Sequence, residues 1–374
     1  MKTVLTKPRL FPAKQNARRW LLLTAGGGLL VLTWALWTVC GRFPAVSSVF
    51  RRVAQLLSTV LGFLSGLLPV PAAEVLIAAI IILVLIRLIR ILRQRDVRLL
   101  VDSLCQMIFG ICAAVFLFVF LYGVHHTAPP LASQMGLEVR KYSVEQLEAF
   151  VAVCAEKANE LAVQVPRDDK GDCDFGSFRA MAKQISDEYM HLANEYAVFD
   201  RVSAGRVKRS AVGGRIMSYV DLAGYYCPWV GESTVSSDVV DTHIPFDIAH
   251  EQAHSMGIGP EAECNFAAWL VCKDHADPKI AYSGWLLAYI YSGNALFSAD
   301  QAAWAQQYEI LNEQVRHDLQ VLNDSLARFE GTKANELGSK ANDALIKATG
   351  QPEGIRSYGK VVDLMLAYFS VENE

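Results

Sequence analysis

The first third of this 374-residue sequence contains almost no acidic residues. Residues 1–124 include only three, Glu74, Asp96 and Asp102, against 14 lysines and arginines. The rest of the chain reverses this balance, with 35 acidic and 21 basic residues. One soluble globular domain does not divide its charge in this way, so a single soluble domain is excluded as an interpretation. The acidic second part would repel phosphate backbones, which disfavours binding of nucleic acid.

Several motifs of common enzyme classes are also missing. There is no GxSxG sequence, which positions the nucleophile of α/β-hydrolases, and no Walker sequence, which binds nucleotide phosphates. No CxxC pair is present, so a zinc site built from closely spaced cysteines is excluded. Five cysteines follow residue 128, an odd number that cannot all pair within one chain, and a Cys154–Cys173 disulfide is one option.

Long apolar runs are concentrated in the basic part. Residues 20–40 contain no charge and have the length needed to cross a hydrocarbon core of about 30 Å. Residues 72–92 and 103–124 form two further runs. Residues 53–70 are less apolar and are interrupted by glycine and proline, which favours an interfacial helix over a fourth span. We therefore predict an α-helical anchor of three transmembrane helices within residues 1–128, embedded in a lipid bilayer.

Positive charges indicate how this anchor is oriented. Two clusters, one before the first run and one between the second and third, are Lys2, Lys7, Arg9, Lys14, Arg18 and Arg19, then Arg87, Arg90, Arg93, Arg95 and Arg98. Both clusters belong on the cytoplasmic side by the positive-inside rule. Arg42, Arg51 and Arg52 disagree but are fewer. We therefore predict a multi-pass protein of the cell membrane with a cytoplasmic N-terminus and an extracytoplasmic domain over residues 129–374.

The second part has the pattern of a mainly α, α+β domain with a small β-sheet. Residues 143–161 and 178–199 place apolar residues at helical spacing, and residues 300–347 suggest one or two polar helices. Residues 213–240 are instead rich in β-branched and aromatic residues between glycines and prolines, which is typical of short strands. Within them, residues 232–240 are predicted either as an edge strand that binds an extended peptide or as a plain hairpin.

An HExxH sequence, HEQAH, begins at His250. Pro245 suits the first turn of a helix and Gly257 suits a left-handed cap, so the motif is expected on a helix of about three turns. His250 and His254 are four residues apart and share one face of that helix, at a separation that one Zn²⁺ can bridge. Glu251 lies beside them, placed to take a proton from a water bound to the metal rather than to bind the metal.

A third metal ligand is available on the next predicted helix. Three protein ligands and an open water position define a catalytic zinc site. Glu261 and Asn265 are four residues apart, so Glu261 can bind the metal while Asn265 orients a histidine ligand without binding the metal itself. Glu263 competes with Glu261 for the role of ligand. Because the two face directions about 200° apart around the helix, only one can face the metal, and we favour Glu261.

These residues resemble a bacterial membrane family described as domain of unknown function 3810. The resemblance rests on Pro245-Phe246 before HExxH, on Gly257 after it, on Glu261-x-Glu263-x-Asn265-Phe266-x-Ala268, and on Tyr282-Ser283-Gly284. Residues 216–219 and 224–228 also fit it, so the resemblance covers most of the chain. It implies a few N-terminal spans and a zincin-like outer domain related to zinc metallopeptidases.

A more distant similarity involves the helix after the motif. Residues 261–265 are similar to the Glu-x-x-x-Asp element of membrane gluzincin peptidases, with Asn265 where an Asp is usual. The spacing between the HExxH sequence and this glutamate is much shorter than in those enzymes.

The combined pattern predicts zinc-dependent hydrolysis of a protein or peptide outside the membrane, with Glu251 as the general base. Tyr282 is the predicted hydrogen-bond donor to the oxyanion, or else an ordinary core tyrosine. An active site inside the membrane is disfavoured, because the motif lies far along the chain from the third apolar run. The alternative is a non-catalytic membrane receptor or scaffold, in which a fourth protein ligand such as Glu263 or His243 closes a structural metal site.

Overall fold

The computed structural model describes residues 13–200, 206–348 and 358–372. Three basic residues of the first predicted cluster, Lys2, Lys7 and Arg9, lie outside the described residues. Most described residues are helical, and three short strands form one sheet. The secondary structure therefore agrees with the predicted helical anchor followed by a mainly α part with a small sheet.

The N-terminal part consists of α1 (Ala13–Arg42), α2 (Pro44–Gly66), α3 (Ala72–Gln94) and α4 (Val97–Leu121). Among the described residues, α1, α3 and α4 are the helices long and apolar enough to cross a membrane. Helices α1 and α4 run parallel, since Arg19 Nε lies 2.6 Å from Asp102 Oδ1 near their starts and Gly26 lies against Cys112 further along. The three helices overlap the three predicted runs.

Helix α2 has two faces of different character. Its buried face consists of the small residues Ser47, Ala54, Ser58, Gly62 and Ser65. Its opposite face exposes large apolar side chains, including Leu56, Phe63 and Leu64. The small residues allow the backbone at Gly231 to pack closely against this face. The contact is so close that a Cβ added to Gly231 would lie only 2.4 Å from the carbonyl oxygen of Ser58. A helix with one exposed apolar face suits a membrane surface, which is the position predicted for this segment.

The second part contains helices of very different lengths around a small sheet. The helices are α5 (Leu131–Gln134), α6 (Val144–Ala162), α7 (Phe178–Glu195), α8 (Gly214–Tyr219), α9 (Ile244–Ser255), α10 (Glu261–Lys273), α11 (Pro278–Ala299), α12 (Gln301–Glu309), α13 (Glu313–Ala327), α14 (Lys333–Ala348) and α15 (Tyr358–Glu372). Residues 300–347 thus form three helices rather than one or two, because the side chains of Asp300 and Asn312 each cap the start of a new helix.

The sheet consists of β1 (Lys208–Arg209), β2 (Gly224–Cys227) and β3 (Glu232–Val235) in the order β1-β3-β2. Strand β3 pairs parallel with β1 and antiparallel with β2. It is therefore the central strand, and all four of its residues are buried. The prediction of an edge strand within residues 232–240 is wrong, because the two-residue strand β1 pairs with the edge that was expected to be free.

The core is formed by α9, α10 and α11, which pack against one another and against α6 and α15. Nearly every residue of α9 is buried, as expected for a helix surrounded by other elements. Helices α10 and α11 approach closely, since a Cβ on Gly284 would lie 2.6 Å from Cys272 Cβ. All eight cysteines fall within the described ranges and are free, so the optional Cys154–Cys173 disulfide is not formed.

Polar contacts attach the sheet to the start of α3. Glu232 of β3 accepts the N–H of Ala72 at 2.7 Å and pairs with Lys208 of β1 at 2.6 Å. The Glu74 carboxylate accepts the backbone N–H groups of residues 211–213. The second part of the chain is therefore held directly against the helices of the first.

Candidate metal centre

Helix α9 presents both histidines of the HExxH sequence on the same side. It begins with Pro245 in its first turn, and the chain leaves it through Gly257, whose φ of +82° favours glycine. The same glycine is also needed for space, because a Cβ there would lie 2.7 Å from His125 Nδ1. The rings of His250 and His254 lie one turn apart, with centroids separated by 4.8 Å.

Glu261, the first residue of α10, completes a cluster of three ligand groups. Its Oε2 lies 3.2 Å from His250 Nε2, and its Oε1 lies 3.5 Å from His254 Nε2. Two atoms bound to one tetrahedral zinc ion, each at about 2.0–2.1 Å, are themselves about 3.4 Å apart. Two histidine nitrogens and a carboxylate oxygen are also a common donor set of catalytic zinc sites. The three side chains therefore fit a single Zn²⁺.

The charges of the cluster also favour a cation. Burial alone would lower the pKa values of His250 and His254, but the Glu261 carboxylate outweighs it and raises both. Burial alone would raise the pKa of Glu261, but the two histidines hold it well below its usual range. A carboxylate that attracts protons onto two imidazoles can equally attract a metal ion between them.

The side chain of Asn265 fixes the orientation of His250. Asn265 lies one turn after Glu261 on α10, and its Oδ1 is 2.7 Å from His250 Nδ1. An amide oxygen can only accept a hydrogen bond, so Nδ1 carries a proton and Nε2, which faces Glu261, is the nitrogen available to a metal. Tyr291 also donates to Asn265 Oδ1, at 3.4 Å. This is the arrangement predicted for Asn265 from the helical spacing.

His254 is oriented in the same way by the backbone and by Tyr122. Its Nδ1 lies 3.1 Å from the carbonyl oxygen of Ile258 and 2.9 Å from Tyr122 Oη. The Ile258 carbonyl must accept, so Nδ1 carries the proton here too and Nε2 is left for a metal. Tyr122 in turn donates to the carbonyl of Gly259 at 3.3 Å. Tyr122 directly follows α4, so the end of that helix supports one of the candidate metal ligands.

Glu251 lies on the wall of the same cavity but outside the ligand cluster. It is 4% exposed, and its Oε2 has no hydrogen-bond partner in the described parts of the chain. Burial raises the pKa of Glu251 to about 8, with Glu261 and Asp247 acting in the same direction and His250 against it. Strand β2 passes closely over this side chain, because a Cβ on Gly224 would lie 2.4 Å from Glu251 Oε1.

The cavity has a volume of about 340 Å³, and several of its lining residues were not predicted from the sequence. These are Phe118, Tyr122, His126, Tyr225, Tyr226 and Tyr291, together with Asn342 and Ile346 of α14. Both ring nitrogens of His126 are buried without a hydrogen-bond partner among the described residues. Burial and, to a smaller extent, the nearby His254 lower the pKa of His126 to about 4, with Glu261 acting in the opposite direction. For Tyr122 and His126, the sequence contains one indication of a role in the site, which is their position at the end of the third apolar run.

Glu263, the competing ligand, is directed elsewhere. Its Oε1 accepts the backbone N–H of Leu131 at 3.0 Å, and its side chain lines a separate small cavity. Within the described ranges, the ligand cluster contains Glu261 and not Glu263. The physical reason is the helix phase, which directs the two glutamates to different sides of α10.

Tyr282 does not line the cavity, which contradicts its predicted role as oxyanion donor. The side chain is fully buried in the core, and its hydroxyl donates to the carboxylate of Asp318. Asp318 also receives two hydrogen bonds of 2.8 Å from Arg167. Tyr282 is thus a core tyrosine that helps to hold a buried ion pair.

Replacing Tyr282 with Phe should destabilise the chain by about 1–3 kcal/mol, because a buried hydrogen bond to a charged group is lost. Zinc affinity should not change, because the Tyr282 hydroxyl binds Asp318 and the residue does not line the cavity of the metal cluster. Thermal unfolding and zinc titration of the purified full-length variant check both statements. A loss of zinc binding without a loss of stability would contradict this and would assign Tyr282 to the metal site rather than to the core.

Replacing Asn265 with Ala should weaken zinc binding by about 10–100-fold, because His250 loses the acceptor that fixes its tautomer and ring orientation. Asn265→Asp should retain most of the affinity, since a carboxylate oxygen can accept the same hydrogen bond. Competition with a chelator of known affinity measures the difference. Equal affinities for the Ala and Asp variants would contradict a role that depends on the acceptor.

Fold and site together define a class of protein: three apolar helices of membrane-spanning length, joined to a helical part in which an HExxH helix and a following glutamate converge. The chain belongs to the family described as Protein of unknown function (DUF3810), which matches residues 50–366. The match begins within α2 and ends within α15, so it includes the whole candidate centre. No curated protein and no solved structure matches the chain.

Proposed function

We propose that this chain is a membrane-anchored zinc metallopeptidase with a zincin-like domain that hydrolyses peptide bonds of an extracytoplasmic protein or peptide. The observation that carries the proposal is the combination of three convergent ligand groups with the carboxyl group of Glu251 on the same cavity wall, whose Oε2 has no hydrogen-bond partner in the described parts of the chain. His250, His254 and Glu261 hold the metal. Glu251 is the general base.

The chemistry assigns a distinct step to Glu251. A bound zinc ion would supply Lewis-acid activation of water and of the scissile carbonyl. Glu251 accepts a proton from the attacking water as the water oxygen bonds to the carbonyl carbon. The C–N bond then breaks, and Glu251 returns the proton to the leaving amine. The products are one carboxylate and one amine, and no other reactant is required.

His126 takes the place of Tyr282 as the donor to the oxyanion. It lines the cavity, whereas Tyr282 does not. Its two ring nitrogens are buried without a partner among the described residues, and a neutral imidazole always retains one N–H donor. A donor that makes no other hydrogen bond is free to bind a developing negative charge.

The ligand count supports a catalytic site over a structural one. Closing the site would require a fourth protein ligand, for which the sequence offers Glu263 and His243. Glu263 binds the Leu131 N–H, and neither residue belongs to the cluster formed within the described ranges. The remaining position is therefore assigned to water and substrate rather than to the protein.

The arrangement of positive charges supports an extracytoplasmic position for the domain. Arg19 Nη2 donates to the carbonyl of Arg98 at 3.1 Å, so the basic clusters of α1 and of the α3–α4 turn meet at one end of the anchor. The candidate centre lies beyond the opposite end of α4, at Tyr122. With the basic end in the cytoplasm, the centre faces outwards.

The proposal is tested with the purified full-length chain in lipid nanodiscs and a randomised peptide library. We expect cleavage with about one zinc per chain, complete loss after treatment with a zinc chelator, and recovery when zinc is added back. Mass spectrometry of the library identifies the cut bonds. Cleavage that survives removal of all zinc, or a chain that binds no zinc, would refute the proposal.

A further inference from the structure

One wall of the candidate pocket is formed by a membrane-spanning helix. Tyr122 follows the last residue of α4, and its hydroxyl lies 2.9 Å from His254 Nδ1. Phe118, one turn earlier within the span, lines the same cavity. A single tyrosine side chain therefore separates the end of the span from a metal ligand, although the two lie more than 100 residues apart in sequence.

The turn between β2 and β3 reaches still further along the span. Trp229 in this turn donates from Nε1 to the carbonyl oxygen of Ala114 at 3.2 Å, and its ring packs on Phe118 at 5.8 Å. Ala114 lies seven residues before Leu121, which corresponds to about 10 Å along a helix. Tryptophan is typical of the boundary between a membrane and water. The strand β2 that passes over Glu251 is thus joined to a turn at membrane depth.

Helix α2 supports the metal-binding helix from the same side. Gln55 on α2 donates to the carbonyl oxygen of Ser255, the last residue of α9, at 3.0 Å. Immediately beside it, Leu56 is 65% exposed, and Phe63 further along is 67% exposed. An exposed apolar face of this kind is buried by lipid at a membrane surface. The C-terminal end of the HExxH helix therefore rests on a helix whose other face is apolar and exposed.

From these three contacts we infer that the site acts at the membrane surface, on the juxtamembrane segment of a polypeptide that is itself anchored in the same bilayer. This inference rests on the proposed peptidase function. An extended chain advances about 3.3 Å per residue, so a segment leaving the bilayer beside α4 reaches the pocket within about ten residues. A soluble peptide has no such attachment and would have to reach the pocket by diffusion from bulk water.

The experiment compares three forms of one randomised peptide library, using the zinc-loaded full-length chain in proteoliposomes. In the first form the library directly follows a transmembrane helix. In the second, a stiff proline-rich spacer of about 30 residues, about 90 Å long, separates the library from the helix. In the third, the library is free in solution. The spacer form controls for the gain in effective concentration that any tether provides.

We expect the first form to be cut at least about tenfold faster than the other two, with the cut bonds within about ten residues of the membrane. Equal cleavage of the spacer form or of the free form would overturn the inference while leaving the peptidase function intact. If the wild-type chain cuts none of the three forms any faster than Glu251→Gln, the proposed peptidase function itself fails.

Discussion

Replacing Glu251 with Gln should reduce peptide hydrolysis by about 10²–10⁴-fold while the chain still binds one zinc ion. The amide has the shape of the carboxylate but cannot accept a proton from water, and general-base catalysis contributes about 10²–10⁴-fold. Zinc binding should persist because Glu251 is not part of the cluster of His250, His254 and Glu261. Folding should also persist, since Glu251 Oε2 has no hydrogen-bond partner to lose in the described parts of the chain.

Two measurements on the same sample check this expectation. The zinc content of the purified variant should equal that of the wild type, and the initial rate on the peptide library should fall to background. A variant that keeps more than about one tenth of the wild-type rate would remove Glu251 from the mechanism. A variant that loses its zinc would instead make Glu251 a ligand.

Replacing Glu261 with Gln should weaken zinc binding by more than about 100-fold. Loss of a residue that only hydrogen-bonds to a metal ligand already lowers metal affinity by about 10–100-fold. Glu261 is itself a candidate ligand, with its oxygens 3.2 Å and 3.5 Å from the two histidine nitrogens. His250→Ala should have at least the same effect. Chelator competition at neutral pH gives the affinities.

The sequence supplies a matched control for this substitution. Glu263 lies two residues away on the same helix, but it binds the N–H of Leu131 rather than the histidines. Glu263→Gln should therefore keep zinc affinity within about threefold of the wild type. The opposite pattern, in which Glu263→Gln loses zinc and Glu261→Gln does not, would make Glu263 the ligand and would contradict Glu261 in that role.

Local periodicity predicted the parts of the site that lie on single helices. His250 and His254 are one helical turn apart, and so are Glu261 and Asn265. These two spacings follow from 3.6 residues per turn alone, and the structure has both. Periodicity alone left Glu261 and Glu263 as alternatives. The choice depends on how α10 is rotated against α9, which is set by core packing on every side of both helices.

Other features depended on contacts between distant segments and were missed. Tyr122 and His126 lie in the cavity because α4 ends beside α9, although the sequence distance suggested a site well away from the anchor. Tyr282 was predicted either as the oxyanion donor or as a core tyrosine, and the sequence could not decide between them because its partner Asp318 is on the distant helix α13. The membrane spans were easier to predict, because the thickness of a bilayer fixes their length and composition.

The central claim is that three protein ligands hold one zinc ion and leave a position for water. X-ray absorption at the zinc edge, measured on the full-length chain in nanodiscs, tests it most directly. We predict four nitrogen and oxygen ligands at about 2.0–2.1 Å, two of them imidazoles, with the same spectrum in Glu251→Gln. A sulfur ligand at about 2.3 Å would contradict the claim.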